Sequence, residues 1–273
     1  MITQSNIREY QQNGVVFLKS VFDSSWIDML NVGISKDIQS PGKNFKSHTV
    51  DSGPRYVENY WVWDERKEFK KFVFDSPLKK IMADLMQAKS INLLMDNWFL
   101  REAGTKSYTP FHHDLSYFDV EGTMCALWLP LQTTKKDEAI AWVKGSHLWG
   151  EKYPRVWFSD GHKVDGENNV PDVLNNPGKY ELLQYNFEVG DCAIFDVRTL
   201  HGTPNTTVPS KTLCRYTVRV AKEDAKIKYK SEEEFSYRTQ LKQAGYTNGD
   251  PVDGVLFPKL YQEKKYEVET SNI

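Results

Sequence analysis

The sequence is short of several things, and each shortage removes a class of protein. No apolar run approaches the roughly 20 residues that span a bilayer, so no transmembrane helix is expected. No block of Lys and Arg is long enough to follow a phosphate backbone, and the formal net charge is −2. Nucleic acid and membrane surfaces are therefore not expected as partners. Three cysteines occur, Cys125, Cys192 and Cys214, each in an apolar strand-like run and none in a Cys-x-x-Cys pair. They read as buried thiols of a reducing compartment, not as a disulfide framework or a zinc site. Met1 to Asn6 lacks the charged-then-apolar layout of a signal peptide, and a cytoplasmic chain is expected. No internal repeat and no domain linker is visible.

What is present suits one enzyme-sized domain over residues 1–273, with 40% hydrophobic and 13% aromatic residues, eight of them tryptophan. That is enough to bury a sizeable core. Helical spacing runs from about Ile7 to Asn13 and from Ser24 to Ile38, the second opened by Asp23 as a cap. Between them Val15-Val16-Phe17-Leu18 reads as a strand. A further helix is expected from about Pro77 to Gln87, where Leu78, Ile81, Met82 and Leu85 fall on one face. From Ile91 the texture changes to short alternating strands, continuing to about Val220. The expectation is an α+β chain with a mainly β core: a helical part over about 1–90, a jelly-roll core over about 91–221 and a C-terminal extension over about 222–273. A jelly roll, the cupin-like double-stranded β-helix, gathers strand ends from two sheets at one mouth. The stretch from Gly150 to Gly178, rich in Asp, Asn, Gly and Pro, reads as an insertion that could cover a site. Lys222 to Glu234 is dominated by charge and reads as a solvated surface segment.

The chemistry concentrates in Pro110-Phe111-His112-His113-Asp114-Leu115. Extended backbone sends alternate side chains to one face, so His112 and Asp114 can grip one ion while His113 points away. A lone His-x-Asp is commonly just a surface pair. His201 changes that, because it follows the Gly190-Asp191 turn and the apolar strand Cys192 to Asp196, at the end of a rigid element. Two imidazoles and one carboxylate leave open coordination positions, the ligand set of non-haem Fe(II) oxygenases. Further on, Leu213 to Val220 alternates so that Arg215, Thr217 and Arg219 share a face. An inward arginine needs an anion, either the carboxylate of a 2-oxo acid or a structural Asp or Glu. His147, in the turn Gly145-Ser146-His147, reads as structural, and His48 and His162 lie in polar stretches without a partner at ligand spacing.

The chain resembles the phytanoyl-CoA dioxygenase (PhyH) family of Fe(II)/2-oxoglutarate-dependent oxygenases, nearly end to end. The residues that carry the likeness are Tyr10 to Leu18 with Val21-Phe22, Thr109 to Leu115, Cys125 to Leu131, Lys144-Gly145-Ser146-His147, Val189-Gly190-Asp191 before His201-Gly202-Thr203-Pro204-Asn205, and Gly249-Asp250-Pro251 before Leu256-Phe257-Pro258. The resemblance implies iron ligands His112, Asp114 and His201. It implies 2-oxoglutarate contacts from Arg215, Thr203 and Trp128, with Thr217 as a hydroxyl partner, although Trp128 reads equally as plain core. The loop Thr206 to Lys211 lengthens the gap after His201, so Arg215 is preferred to Arg219 without excluding it. His113 stands where glutamine is common in the family. Fe(II), 2-oxoglutarate and dioxygen are the cofactors implied, with succinate and carbon dioxide released as a small-molecule metabolite is hydroxylated. Asp114 favours that outcome, since related halogenases lack this carboxylate. Arg55 and Arg101 are candidate contacts for an anionic substrate, and no adenine- or pantetheine-binding signature is seen. A non-redox metal cupin, such as an isomerase, and a non-catalytic binding protein on the same scaffold are the competing readings.

Overall fold

The first helix shows how local sequence sets the frame. Thr3 caps it by accepting from the Asn6 amide at 3.2 Å while the Asn6 side chain accepts from the Thr3 amide at 3.0 Å, a reciprocal arrangement that satisfies donors a helix start leaves open. Gly14 ends it with φ 81°, where a Cβ would meet His147 Nδ1 and Thr199 Oγ1 at 2.5 Å. The computed structural model describes residues 1–49, 52–156, 158, 169–176, 178–204, 208–230 and 236–263.

In chain order the elements are α1 (Gln4–Asn13), β1 (Val15–Leu18), α2 (Ser24–Gln39), β2 (Lys46–Ser47), β3 (Tyr56–Tyr60), α3 (Lys67–Asp75), α4 (Leu78–Met86), β4 (Ser90–Arg101), β5 (Val120–Glu121), β6 (Met124–Pro130), β7 (Ala141–Val143), β8 (Leu182–Leu183), β9 (Cys192–Asp196), β10 (His201–Gly202), β11 (Leu213–Lys222), β12 (Lys226–Ile227), α5 (Ser236–Gln243) and β13 (Lys259–Gln262). The expected helices and first strand are all found, within a few residues of their expected ends. Helix α3 was not foreseen; it is short, and Arg66 at its start provides no side-chain cap.

One antiparallel sheet runs β1-β9-β6-β11-β4-β3-β2, with β13 pairing the far end of β4. A smaller sheet runs β10-β7-β8, and β5 pairs β12. The two sheets make the jelly-roll, double-stranded β-helix core of an α+β fold. The large sheet also recruits β1, β2, β3 and β13, strands from the chain on either side of the expected core span. Helices α1 to α4 bury an apolar cluster against one side of this sheet, with Ile27, Leu30, Phe69, Phe72, Leu78 and Met82 meeting Leu127, Leu129, Tyr216 and Val218. The opposite side faces the small sheet, and a cavity of about 200 Å³ opens there.

The segment after Lys222 keeps Glu223, Asp224, Lys226, Lys228 and Lys230 exposed, as expected, and is anchored between them. Ala225 and Ile227 are buried, and Arg238 is 2% exposed. Its charges are used on the protein: the Lys230 ammonium donates to the carbonyls of Leu115 and Phe118, and Arg238 pairs with Asp119. Residues 231–234 lie outside the described residues.

Candidate metal centre and its cavity

His112 and His201 meet through their backbones. The two residues form an antiparallel bridge in which the His112 amide donates to the His201 carbonyl at 3.0 Å and the His201 amide to the His112 carbonyl at 2.8 Å. This close approach explains Gly202, since a Cβ there would lie 2.8 Å from the Phe111 backbone. Extended backbone continues to His113, with φ −117° and ψ 147°, whose Nδ1 accepts the Ser116 amide at 3.2 Å and starts a 3₁₀ helix over Asp114–Tyr117. The expectation that His112 and Asp114 share one strand is corrected to that extent: the carboxylate opens a turn. His113 does point away, and its ring lies 3.0 Å from the Tyr153 amide. Burial pushes its pKa down to about 4.

The ring orientations suit a metal. Nδ1–H of His112 donates to the Pro110 carbonyl at 2.8 Å and Nδ1–H of His201 to the Thr199 carbonyl at 2.9 Å. Each Nε2 is thereby left with its lone pair. Those nitrogens lie 3.5 and 3.6 Å from Asp114 Oδ1, and the three ligand atoms lie within 4.8 Å of one another. Burial, with His112 alongside, pushes the His201 pKa down to about 3. Burial alone would raise the Asp114 carboxyl, yet Arg219 and the two histidines hold it well below the usual carboxylate range. His201 is thus neutral and Asp114 ionised at neutral pH, the forms that bind a cation.

The two arginines of β11 divide their work. Arg219 donates from Nε to Asp114 Oδ2 at 2.7 Å and from Nη1 to Asn97 Oδ1 at 2.6 Å and Thr217 Oγ1 at 2.9 Å. It holds the outer oxygen of the metal-site carboxylate and leaves Oδ1 toward the histidines. Arg215, one helical-pitch-free run of four residues earlier and so about 13 Å along the strand, has no acidic partner among the described residues. Its Nη2 donates to Tyr56 Oη at 2.7 Å and Thr109 Oγ1 at 3.2 Å, and its guanidinium lies 4.4 Å from the Phe99 ring centre. Arg215 lines the cavity beside His112, Asp114 and His201.

The other expected residues are placed as follows. Trp128 lines the same cavity, and its buried Nε1–H has no partner among the described residues. Thr217 lines it too, with its hydroxyl engaged by Asn97 and Arg219. Thr203 lines a smaller cavity behind the first and accepts the Thr109 amide at 3.1 Å. Arg55 is exposed and paired with Glu102 at 2.8 Å, and it does not line the cavity. Arg101 is buried and lines that smaller cavity, donating to the Ser107 carbonyl at 2.7 Å. Neither arginine lines the main cavity: Arg55 precedes β3 and is held by Glu102, and Arg101 stands two residues beyond Phe99 on the same face of β4, where it lines the smaller cavity with Arg215. His147 donates to the Gln11 carbonyl at 3.0 Å as a structural residue, and His162 lies outside the described residues.

Sequence reasoning missed several cavity residues. On β3, Glu58 and Tyr60 line it, joined by Lys46 of β2 and His48 just after it; His48, read as having no partner at ligand spacing, lies 2.9 Å from Glu58 Oε1. The signal available was the alternation of Tyr56, Glu58 and Tyr60 after a Gly-Pro turn. Arg155, Val156 and Phe158 also line the cavity, as the insertion reading anticipated.

Comparison with known proteins agrees with this geometry. A profile of the phytanoyl-CoA dioxygenase (PhyH) family matches residues 10–211. No curated protein sequence matches. Among solved structures, the non-haem alpha-ketoglutarate-dependent carbocyclase SnoK from nogalamycin biosynthesis superposes with a TM-score of 0.72 at 15% identity, covering 95% of this chain and 97% of that one. The epimerase SnoN in complex with Fe3+, alpha-ketoglutarate and nogalamycin RO gives 0.71 at 15% identity, covering 94% and 98%. HygX from Streptomyces hygroscopicus, with nickel, 2-oxoglutarate and hygromycin B bound, gives 0.61 at 14% identity, covering 92% and 98%. At such identities the likeness is one of fold, and the profile match carries the assignment. By its sequence over most of its length, the chain belongs to the phytanoyl-CoA dioxygenase family.

Proposed function

We propose that this protein is an Fe(II)- and 2-oxoglutarate-dependent oxygenase that hydroxylates a small-molecule metabolite. The observation that carries the reading is the convergence of two tautomer-locked histidines on one oxygen of Asp114, with Arg215, which has no acidic partner among the described residues, in the same cavity. The donor set suits Fe(II), and the unpartnered Trp128 Nε1–H and Arg215 suit the carboxylate of a 2-oxo acid. Iron and 2-oxoglutarate together would supply the oxidising power to break a substrate C–H bond at the expense of dioxygen.

The chain's own part is placement. His112, Asp114 and His201 would hold the metal, and Arg219 would keep Asp114 bound through one oxygen. Arg215, steadied by Tyr56 and Thr109, would hold the co-substrate's far carboxylate, and Thr203 acts behind it by fixing the Thr109 backbone. Phe99, Phe118, Phe158 and Phe195 line the cavity and would exclude water while a substrate is positioned. The buried Cys125 and Cys192 and half-buried Cys214 are free thiols, which fits the cytoplasm. No described helix is long and apolar enough to cross a membrane.

Anaerobic addition of Fe(II) and then 2-oxoglutarate should give a weak visible charge-transfer band, which a non-redox cupin or a binding protein would not show. Air and a metabolite extract should then yield succinate and a product heavier by one oxygen atom. Succinate with a product of unchanged mass would keep the co-substrate reading and replace hydroxylation by inversion or ring closure.

A further inference from the structure

The turn that carries Asp114 is gripped by a part of the chain lying beyond the family match. Strand β12 pairs β5 through Lys226 with Glu121 and Ile227 with Val120. The Lys228 amide donates to the Asp119 carbonyl at 2.8 Å, and the Lys230 amide to Asp119 Oδ1 at 3.1 Å. Arg238 then closes on the same carboxylate with two bonds of 2.6 Å, Nε to Oδ2 and Nη2 to Oδ1, both side chains being 2% exposed. The Lys230 ammonium donates to the Leu115 carbonyl at 2.9 Å and to that of Phe118, at the C-terminal side of the 3₁₀ helix that Asp114 begins, where carbonyls concentrate negative charge. The opposite edge of the gripping segment is itself fixed: the Ile227 amide donates to the Asp250 carbonyl at 2.8 Å and the Gly249 amide to the Ile227 carbonyl at 2.9 Å.

Arg219 sets the rotation of the Asp114 carboxylate, but it cannot set where the Asp114 backbone lies. That position is set on one side by the His112–His201 bridge and the Leu115 amide on the Val197 carbonyl at 3.1 Å, and on the other by residues 115–121, which are tied to 226–230 and Arg238. We infer that the C-terminal segment is a positioning clamp for the metal-binding carboxylate, so that docking of the segment and occupation of the His112–Asp114–His201 site by a divalent cation stabilise each other. Such coupling is reciprocal by thermodynamic necessity. The inference rests on the metal reading proposed above and adds Asp119, Lys230 and Arg238 as positioning residues.

Co(II) is the probe, titrated anaerobically into the full chain and followed by calorimetry, with hydrogen exchange read at the Lys228 and Lys230 amides. In the unaltered protein Co(II) should slow exchange at both amides, and His201→Ala should remove that slowing. Arg238→Met should weaken Co(II) binding by about tenfold, as loss of groups that orient metal ligands does, and Arg238→Lys should recover much of it. Lys230→Met, at the surface, should weaken it by about threefold. If Arg238→Met does not fold, Lys230→Met and Arg238→Lys decide by the same measures. Wild-type Co(II) affinity in the folded variants, or exchange at 228 and 230 indifferent to Co(II), overturns the clamp while leaving the metal site standing. Failure of the unaltered protein to take up Co(II) would instead remove the metal reading, and the clamp with it.

Discussion

The two sides of the large sheet use one backbone for different ends. On β11, Tyr216, Val218 and Val220 turn to the helices and join a dry cluster with Leu127, Leu129 and Trp98. Arg215, Thr217 and Arg219, their immediate neighbours, turn to the cavity. The helix side gains stability from apolar area removed from water. The cavity side gathers buried charges whose mutual arrangement contributes little net stability and is useful for binding a cation and an anion. Losses on the two sides should therefore show in different measurements.

The largest effect is expected on the cavity side. His201→Ala should abolish stoichiometric Fe(II) binding and succinate formation while the unfolding midpoint stays close to that of the unaltered protein; retained turnover would break the comparison at its centre. On the helix side, Leu127→Ala should lower unfolding free energy by about 3 kcal/mol, read by denaturant titration, with 2-oxoglutarate affinity of the folded protein unchanged. Arg215→Ala should raise the 2-oxoglutarate dissociation constant by about thirtyfold, from about 2 kcal/mol of lost charged hydrogen bonding. Arg219→Ala should weaken the metal instead, and a reversal of the two results would make Arg219 the co-substrate anchor.

The smallest effect sharpens the contrast by placing a charge on the dry side. Asp96 is fully buried there, accepting the Val62 and Trp63 amides at 3.0 and 3.2 Å and the Tyr216 hydroxyl. Burial raises its pKa from the ordinary 3.8 to about 7. The folded chain keeps a proton that the unfolded chain has released, so stability from this group is greatest below pH 4. It falls as pH rises toward 7 and levels off above that. Between pH 6 and 8 the loss should be about 1 kcal/mol. Asp96→Asn, which retains an acceptor for both amides, should flatten that part of the pH–stability curve.

Much of this was legible beforehand because it is local or periodic. Helical spacing placed α1, α2 and α4, with Asp23 as the cap of α2, and alternation placed β11 with Arg215 and Arg219 on one face. The metal triad was readable because a His-x-Asp and a histidine at a strand end are short patterns of chemically unusual residues. What was not legible depends on which distant strands become neighbours. Arg55 and Arg101 look like free cations in the sequence; the pairing of β3 with β4 brings the first to Glu102, and the path of the chain after β4 brings the Ser107 carbonyl to the second. His48 and Glu58 lie ten residues apart with nothing in composition to join them, and β2 folding back on β3 brings them together. The charge-rich stretch after Lys222 has the composition of solvated surface and its charged side chains are exposed; its anchoring on Asp119 follows from β12 pairing β5.

By itself the sequence determined helices α1, α2 and α4, the mainly β core and the residue types able to bind a metal, because each rests on interactions between residues close in the chain. The tertiary structure alone decided that Arg219 serves Asp114 while Arg215 has no acidic partner among the described residues, and that the C-terminal segment reaches the metal turn. Those assignments depend on strand register and on which groups are desolvated together, and no local pattern encodes either.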